Sequence, residues 1–296
     1  MIFNNNIFKI VILALIFSFI STYSHSNILN LSKDAKNISN YFSGSVAFNN
    51  FEYDISKKYF DKYSKSEKEN NKFSSTFVQS LINLQKYKEA YSFSKSLDKK
   101  GNSNLENNLF LGLYEFKNKN YIQAKIHFSK LNLNINNRLI FEPLKISLIN
   151  WSEILISNNI KDIDKIKSMP DSFGSFKAIQ EVFAFCYFDH PDLDKKFSKI
   201  ILDDSEKFYR YNFFFANYLI KKGREKEAKS IIDLTIDKFP RNLLINQLKE
   251  NLNKDNFNKN EFSCNKPEHI LAEIFYAFAN ALSVQKKYEL SNLYIN

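Results

Sequence analysis

The residues of this chain that are best suited to chemistry are few and scattered. Its four histidines are His25, His127, His190 and His269, and no two of them have the spacing of metal ligands on one helix. The sequence contains no Cys-x-x-Cys and no His-Glu-x-x-His motif. It also lacks a glycine-rich phosphate loop and a Gly-x-Ser-x-Gly nucleophile elbow. The sequence therefore predicts a protein that is not an enzyme and has no catalytic residue, no cofactor and no metal site, with His127 a partly exposed helix residue.

Two further groups have ordinary structural interpretations. Asp203-Asp204, followed by Ser205-Glu206, is typical of the start of a helix, where carboxylates interact favourably with the helix dipole. The two cysteines, Cys186 and Cys264, could pair in an oxidising compartment. Because they lie far apart in the sequence, we interpret them as two buried or isolated thiols, and the question of pairing stays open.

The composition predicts an all-α fold. The 296 residues include only five Gly and five Pro but 30 Phe and 16 Tyr, which suits packed helices and differs from turn-rich all-β sequences. No stretch alternates apolar and polar residues for long enough to predict a strand. The formal net charge is +10, but the lysines are spread along the chain rather than gathered in one run. We therefore predict no nucleic-acid partner, while association with an anionic membrane surface or cell-wall polymer stays open.

A 34-residue period organises the first part of the chain. Small or apolar residues recur at two fixed places, twelve residues apart within each unit: Gly44 and Ser56, Val78 and Ala90, Gly112 and Ala124. Two antiparallel helices need such residues where their backbones come closest, and neighbouring pairs must bury each other's apolar stripes. We expect large residues to fill the space around these places: Phe42 and Phe60, Phe77 and Leu97, Leu111 and Phe128.

This pattern resembles the tetratricopeptide repeat (TPR). That family favours Gly or Ala at place 8 of the repeat, Tyr at 17, Ala at 20, Phe at 24 and Pro at 32. Residues 105–131 match best, residues 209–242 match again, and Trp at place 4 is missing throughout. The matching residues are Leu111, Gly112, Tyr121, Ala124 and Phe128, then Ala216, Ala228 and Pro240, and last Ala279, Tyr288 and Ser291. The resemblance implies a right-handed solenoid of stacked antiparallel helix pairs, as in exported bacterial members of the family.

The register of the repeats divides the chain into segments. Residues 132–138 are predicted to be a connection, with a helix starting at Glu142-Pro143, since Pro is favoured in the first turn. Because the chain stops within the second helix of its last unit, we expect a fragment or an end that a partner covers. The predicted segments are a signal peptide over 1–26, three repeats over 37–136, degenerate helical repeats over 139–202, a repeat over 209–242, a polar linker over 251–267 and an incomplete final repeat over 268–296.

The N-terminus predicts export. An apolar run from Ile10 to Ile20 follows Lys9 and precedes a small-residue cleavage site at Ser24-x-Ser26. The run is shorter than the roughly 20 residues that a membrane-spanning helix needs. We therefore predict a periplasmic protein, with an uncleaved inner-membrane anchor as the alternative.

The resemblance also implies a binding surface. In the family, places 2, 5, 9, 12 and 13 of the first helix of each pair line a concave groove. The partner-binding residues expected from this register are Tyr41, Phe48, Asn49, Gln79, Asn83, Leu113, Phe116, Arg210 and Asn217. A mixed aromatic and amide groove suits a helix or an extended apolar segment. Asn49 and Asn83, at equivalent places, could hold a peptide backbone or simply end their helices.

Three functions stay open at this point. The leading one is a non-enzymatic scaffold in the cell envelope that binds a protein or peptide through the concave face. The chain could instead be the helical N-terminal arm of a cell-wall-acting enzyme whose catalytic domain lies beyond Asn296. An RNA-binding helical-repeat protein is the third, and export disfavours it. The identity of the partner and the oligomeric state cannot be read from the sequence.

Overall fold

The described part of the protein is all-α. The computed structural model describes residues 34–63, 71–132, 135–201, 209–253, 262–284 and 286, and these ranges contain helices and no strand. The predicted all-α class is therefore confirmed for this part of the chain. The predicted signal peptide, Asp203-Asp204, Tyr288 and Ser291 lie outside the described residues. Within them, no helix has the length and apolar character needed to cross a membrane.

The described residues form a succession of helices. Two 3₁₀ turns, Ile160–Asp162 and Asp171–Phe173, precede α8 and α9. The helices are α1 (34–49), α2 (Tyr53–Asp61), α3 (Asn71–Asn83), α4 (Tyr87–Lys99), α5 (Leu105–Lys117), α6 (Tyr121–Ser129), α7 (Ile135–Ser157), α8 (Ile163–Lys167), α9 (Gly174–Tyr187), α10 (Leu193–Ile201), α11 (Tyr209–Lys221), α12 (Glu225–Lys238), α13 (Leu243–Asn253) and α14 (Pro267–Val284).

The chain forms two compact units, Met1–Leu111 and Gly112–Asn296, and the division falls within α5. In the first unit, α3 packs against both α2 and α4. In the second unit, each helix from α6 to α12 packs against the next helix along the chain. Packing between sequence neighbours is therefore the rule in both units.

The close-packed places predicted from the 34-residue period are confirmed. A Cβ atom added to Gly44 would lie 2.6 Å from Phe60 Cδ1, and one added to Gly112 would lie 2.5 Å from Phe128 Cδ1. Only a residue without a side chain therefore lets these rings come this close to the neighbouring helix. The residues at the second place are fully buried: Ser56, Ala90 and Ala124. The expectation for Phe42 was wrong, since its side chain is 61% exposed on α1.

The first helix of each pair ends in the same backbone motif. Phe51, Gln85 and Lys119, which are 34 residues apart, have φ values of 62°, 57° and 62°. The next residue in each case donates its N–H to a carbonyl five residues earlier: Glu52 to Ala47, Lys86 to Leu81 and Asn120 to Glu115. This is the Schellman end of a helix, at which Gly or Asn is preferred. The backbone conformation therefore recurs every 34 residues at this place, although the residue type does not.

The structure corrects the predicted start of α7. We predicted a connection over 132–138 and a helix start at Glu142-Pro143, but α7 begins by Ile135 and Pro143 lies inside it. A proline inside a helix removes one backbone hydrogen bond and costs about 3 kcal/mol. The packing of α7 against α6 outweighs this local preference.

A buried network of amides and hydroxyls joins α3, α4 and α5 in the first unit. Asn107 Oδ1 accepts a hydrogen bond from Ser94 Oγ at 3.1 Å, and Asn107 Nδ2 donates to Asn104 Oδ1 at 2.7 Å. Asn104 Nδ2 donates in turn to Ser74 Oγ at 3.1 Å. Asn104 Oδ1 also accepts the backbone N–H of Asn107 at 2.9 Å, and so caps the start of α5. Such a network fixes the register of three helices, because a polar group moved out of it would lie buried without a partner.

We expect Gly112→Ala to lower the free energy of unfolding by about 1–3 kcal/mol, because the added methyl group overlaps the Phe128 ring. The measurement is urea denaturation of four proteins: wild type, Gly112→Ala, Phe128→Leu and the double variant. The loss of unfolding free energy caused by Gly112→Ala should be clearly smaller in the Phe128→Leu background than beside the native ring. An equal cost in both backgrounds would show that the ring does not set the helix separation.

Candidate functional site

One face of α11 carries Arg210 and Asn217, which the repeat register predicts for the groove. Phe214 and Lys221 have the spacing that places them on the same side of the helix. Arg210 and Asn217 were predicted to contact a partner. In the structure this face holds a later part of the same chain, residues 262–284, which we call the return segment. It contains α14 and the residues that lead into it.

A two-pronged ion pair joins α11 to the return segment. Arg210 Nε donates to Glu273 Oε2 at 2.9 Å, and Arg210 Nη2 donates to Glu273 Oε1. The guanidinium carbon also lies 4.0 Å from the centroid of the Tyr276 ring and 5.1 Å from that of Phe214. Glu273 is only 5% exposed, whereas Arg210 is half-buried, so water still reaches one side of the pair. Because a planar guanidinium accepts a carboxylate in a fixed orientation, this contact sets the register of α14 on α11.

The charged pair also affects a neighbouring hydroxyl group. Tyr211 follows Arg210 on α11 and is 6% exposed. Burial raises the pKa of the Tyr211 hydroxyl above its ordinary value, and the Glu273 carboxylate raises it further. Tyr211 is therefore neutral at physiological pH and contributes its ring to the core.

Aromatic contacts extend this contact surface to α9 and α7. The Phe262 ring stacks on Phe214 with centroids 4.1 Å apart, and lies 5.1 Å from Phe183 on α9. At the other end, the Phe278 ring meets Phe141 of α7 edge-on at 5.1 Å. The return segment therefore lies against α7, α9 and α11, which alternate along the chain with the helices α8 and α10.

This placement differs from the predicted one for residues 268–296. The first helix of a final repeat would pack against the helix pair that precedes it. The helix is present as α14, but it packs against α7 and α9, which lie much earlier in the chain. The rest of the predicted final repeat lies outside the described residues.

A disulfide bond attaches the return segment to α9. Cys186 and Cys264 are bonded, with their Cα atoms 5.8 Å apart. Our interpretation of two separate thiols was therefore wrong. It assumed that residues far apart in the sequence do not meet in an extended stack of helices, whereas the return of the chain brings Cys264 back to α9.

His269 holds the start of α14. Its Nδ1 accepts the backbone N–H of Ser263 at 3.1 Å, which requires the neutral ring. Burial lowers the pKa of His269, and the charges of Lys266 and Lys221 lower it further. The carboxylates of Glu268 and Glu273 act in the opposite direction. The net shift favours the neutral form that this hydrogen bond needs.

Two buried amides lie among these helices. Asn217 is 1% exposed, and its Nδ2 donates to the carbonyl of Phe213 at 3.1 Å. Gln180 Oε1 accepts the indole N–H of Trp151 at 2.7 Å. Asn217 Oδ1 and Gln180 Nε2 have no hydrogen-bond partner among the described residues. Asn217 was predicted as a contact residue, but in the structure it is buried.

The predicted groove residues of the first unit are more accessible. Tyr41, Phe48 and Gln79 are half-buried, and Asn49 is exposed. Asn83 Nδ2 donates to the carbonyl of Gln79 at 2.9 Å, within its own helix. The donor of Asn83 is therefore used locally, which favours the interpretation that this asparagine ends a helix.

The structure corrects two predictions on α5 and α6. Leu113 is half-buried, but Phe116 is only 3% exposed, and its ring meets Tyr121 edge-on at 5.1 Å. Phe116 therefore belongs to the core of this helix pair and is not open to a partner. His127, predicted to be partly exposed, is 1% exposed.

The described residues offer no cluster for metal chemistry. They contain no group of three or more His, Cys, Asp and Glu side chains that could hold a metal ion. What the geometry provides is a set of helix faces that contact the return segment through aromatic rings and one charged pair.

Comparison with family models, with curated proteins and with solved structures finds no match. The resemblance to the TPR family therefore depends on the residues and spacings of the chain itself.

We expect replacement of both cysteines by serine to lower the free energy of unfolding by about 2–4 kcal/mol, because the bond closes a long loop. Denaturant titration without a reductant, compared with the wild type, measures this difference. Dithiothreitol should lower the free energy of unfolding of the wild type to that of the variant, and it should leave the value for the variant unchanged. If the reductant destabilised both proteins equally, the bond would not be the source of the stability.

We expect the wild type to lose more thermal stability than His269→Gln as the pH falls from about 7.5 to 5.5. The pKa of His269 in the folded protein lies below the ordinary value of 6.5, so the unfolded chain takes up its proton first. The folded state therefore loses stability as the pH falls below the ordinary value, until the folded pKa is passed. The measurement is the melting temperature of both proteins across this pH range. If the two melting temperatures fell in parallel, the lowered pKa of His269 would be contradicted.

Proposed function

We propose that this chain is a non-enzymatic scaffold that binds another protein or peptide through the first helices of TPR-like helix pairs, within a right-handed solenoid. The observation that carries the proposal is the return segment on α7, α9 and α11. A face that the repeat register assigns to ligand binding holds another segment of the chain there, through a bidentate ion pair with α14 and a stacked contact with Phe262 before that helix. These contacts are of the kind that helix-binding grooves use.

The face of α1 and α3 is the proposed binding surface for the external partner. Tyr41 and Phe48 on α1 and Gln79 on α3 occupy groove places of the repeat and are half-buried. Each therefore has side-chain surface left for a partner. Two aromatic rings and an amide suit an apolar segment that also presents polar backbone or side-chain groups.

The cell envelope is the proposed location. The apolar run Ile10–Ile20, with its following small residues, has the features of an export signal. The Cys186–Cys264 disulfide supports this proposal, because such bonds persist in oxidising compartments such as the bacterial periplasm.

Site-specific photo-crosslinking in intact cells tests the proposed function. A photoreactive amino acid at Gln79 should crosslink to a discrete partner protein. The same amino acid at Lys88, which is exposed on α4, is the matched control and should not give this product. If the two positions gave the same products, or if neither gave any, the face of α1 and α3 would not be a binding surface.

A further inference from the structure

We propose that the outer side of α1 is an interface at which two copies of this chain pair, with their α1 helices antiparallel. The side is formed by Ile38, Phe42 and Val46, which we call the α1 stripe. These side chains are 57%, 61% and 59% exposed, so more than half of each is in contact with solvent. The inference goes beyond the proposed scaffold function, because it concerns a different side of α1 and a different partner.

The α1 stripe lies opposite the buried side of its own helix. Asn40, Gly44 and Ala47 are buried, and Gly44 is the residue against which the Phe60 ring of α2 packs. The geometry of an α-helix places the middle of the stripe about half a turn away from these residues. The stripe therefore faces away from α2, at the outer end of the first helix pair.

The same side of the next first helix is covered. Ser80 follows Val46 by one 34-residue period, and it is fully buried with its Oγ 3.3 Å from Ser56 Oγ of α2. Thr76, which corresponds to Phe42, is half-buried. This side of α3 therefore packs on the second helix of the preceding pair. Among the described residues no helix precedes α1, so the same stacking surface is open there.

The residue types on this surface favour an apolar neighbour. A repeat at the end of a stack normally presents a polar outer side, which keeps the protein soluble. Ile38 has this place on α1, whereas the equivalent residues are Lys72 in α3 and Glu106 in α5. A contiguous row of large apolar side chains in contact with water is typical of an interaction site. The α1 stripe is therefore suited to contact another apolar helix surface.

The distribution of charge favours a second copy as this neighbour. Residues 37–51 contain no charged side chain, although 25% of the chain is charged and the formal net charge is +10. Two copies of so basic a protein repel each other at surfaces that carry lysine. They can approach at the α1 stripe, because it brings no like charges together. A charged protein or an anionic membrane would find no opposite charge on it.

The spacing of the α1 stripe makes it complementary to itself. Ile38 and Val46 lie four residues before and four residues after Phe42. A two-fold axis at Phe42 therefore brings the two Phe42 rings together when the helices run antiparallel. It also sets Ile38 of each copy against Val46 of the other, as an isologous interface requires. Each copy contributes the same three side chains, and no apolar residue of the stripe is left over.

Sedimentation velocity of the purified full chain, without a reductant, tests the pairing. The wild type should have the mass of two chains and should dissociate on dilution. Phe42→Asp should weaken the association at least about 100-fold, because the dimer would have to bury two unpaired carboxylates. The matched control is Leu243→Asp on α13, since Leu243 is 84% exposed, and this variant should associate as the wild type does. Far-UV circular dichroism establishes that both variants are folded.

A charge exchange tests the antiparallel register. Ile38→Glu alone and Val46→Lys alone should each weaken the dimer, because each sets a charge against an apolar side chain. The chain that carries both substitutions should associate more tightly than either single variant, since each glutamate then meets a lysine of the other copy. Parallel helices would instead bring glutamate to glutamate and lysine to lysine.

The proposal is overturned if the wild type has the mass of one chain at every concentration. It is also overturned if Phe42→Asp associates as tightly as Leu243→Asp, or if the double charge variant is weaker than both single variants. Crosslinking at Gln79 concerns another surface, so the proposed function and this pairing can fail separately.

Discussion

The close approach of paired helices is the constraint on which the rest of the structure depends. On α11 the buried residues Asn212, Ala216 and Leu219 lie on one side, and Asn212 Nδ2 donates to Thr235 Oγ1 of α12 at 3.0 Å. Because the small Ala216 lets α12 come near, a single side of α11 is enough to form the pair. The opposite side, which carries Arg210, Phe214 and Lys221, is left for other contacts. The return segment packs on this side. Because the helix pair needs only one side of α11, the other side is left for contacts with another segment.

The sequence predicted the places where helices touch but not the places where the chain turns or returns. Gly44 and Gly112 were identifiable because a close contact with a phenylalanine ring excludes nearly every other residue. The helix ends at Phe51, Gln85 and Lys119 were not, because residues with side chains adopt positive φ there at a modest cost that the surrounding packing outweighs.

The path of the return segment could not have been predicted from local pattern. Ala279 is fully buried and has the size that place 8 of a repeat requires, so α14 resembles the first helix of another unit. Only contacts over a long sequence separation, such as those of Glu273 with Arg210 and of Cys264 with Cys186, determine where it packs. The contact of Arg210 with a later part of the same chain could therefore not be foreseen, and its role in binding a partner stays a prediction.

The packing of the return segment on α7, α9 and α11 links the path of the chain to its stability. A ligand that binds only the folded state stabilises it, and a ligand that belongs to the same chain does so permanently. The contacts of Phe262, Glu273 and Phe278 therefore contribute to the stability of the unit that contains α7, α9 and α11. Removal of the Glu273 carboxylate would leave the half-buried Arg210 guanidinium without this partner. The ion pair therefore couples the position of α14 to the stability of the helices against which it packs.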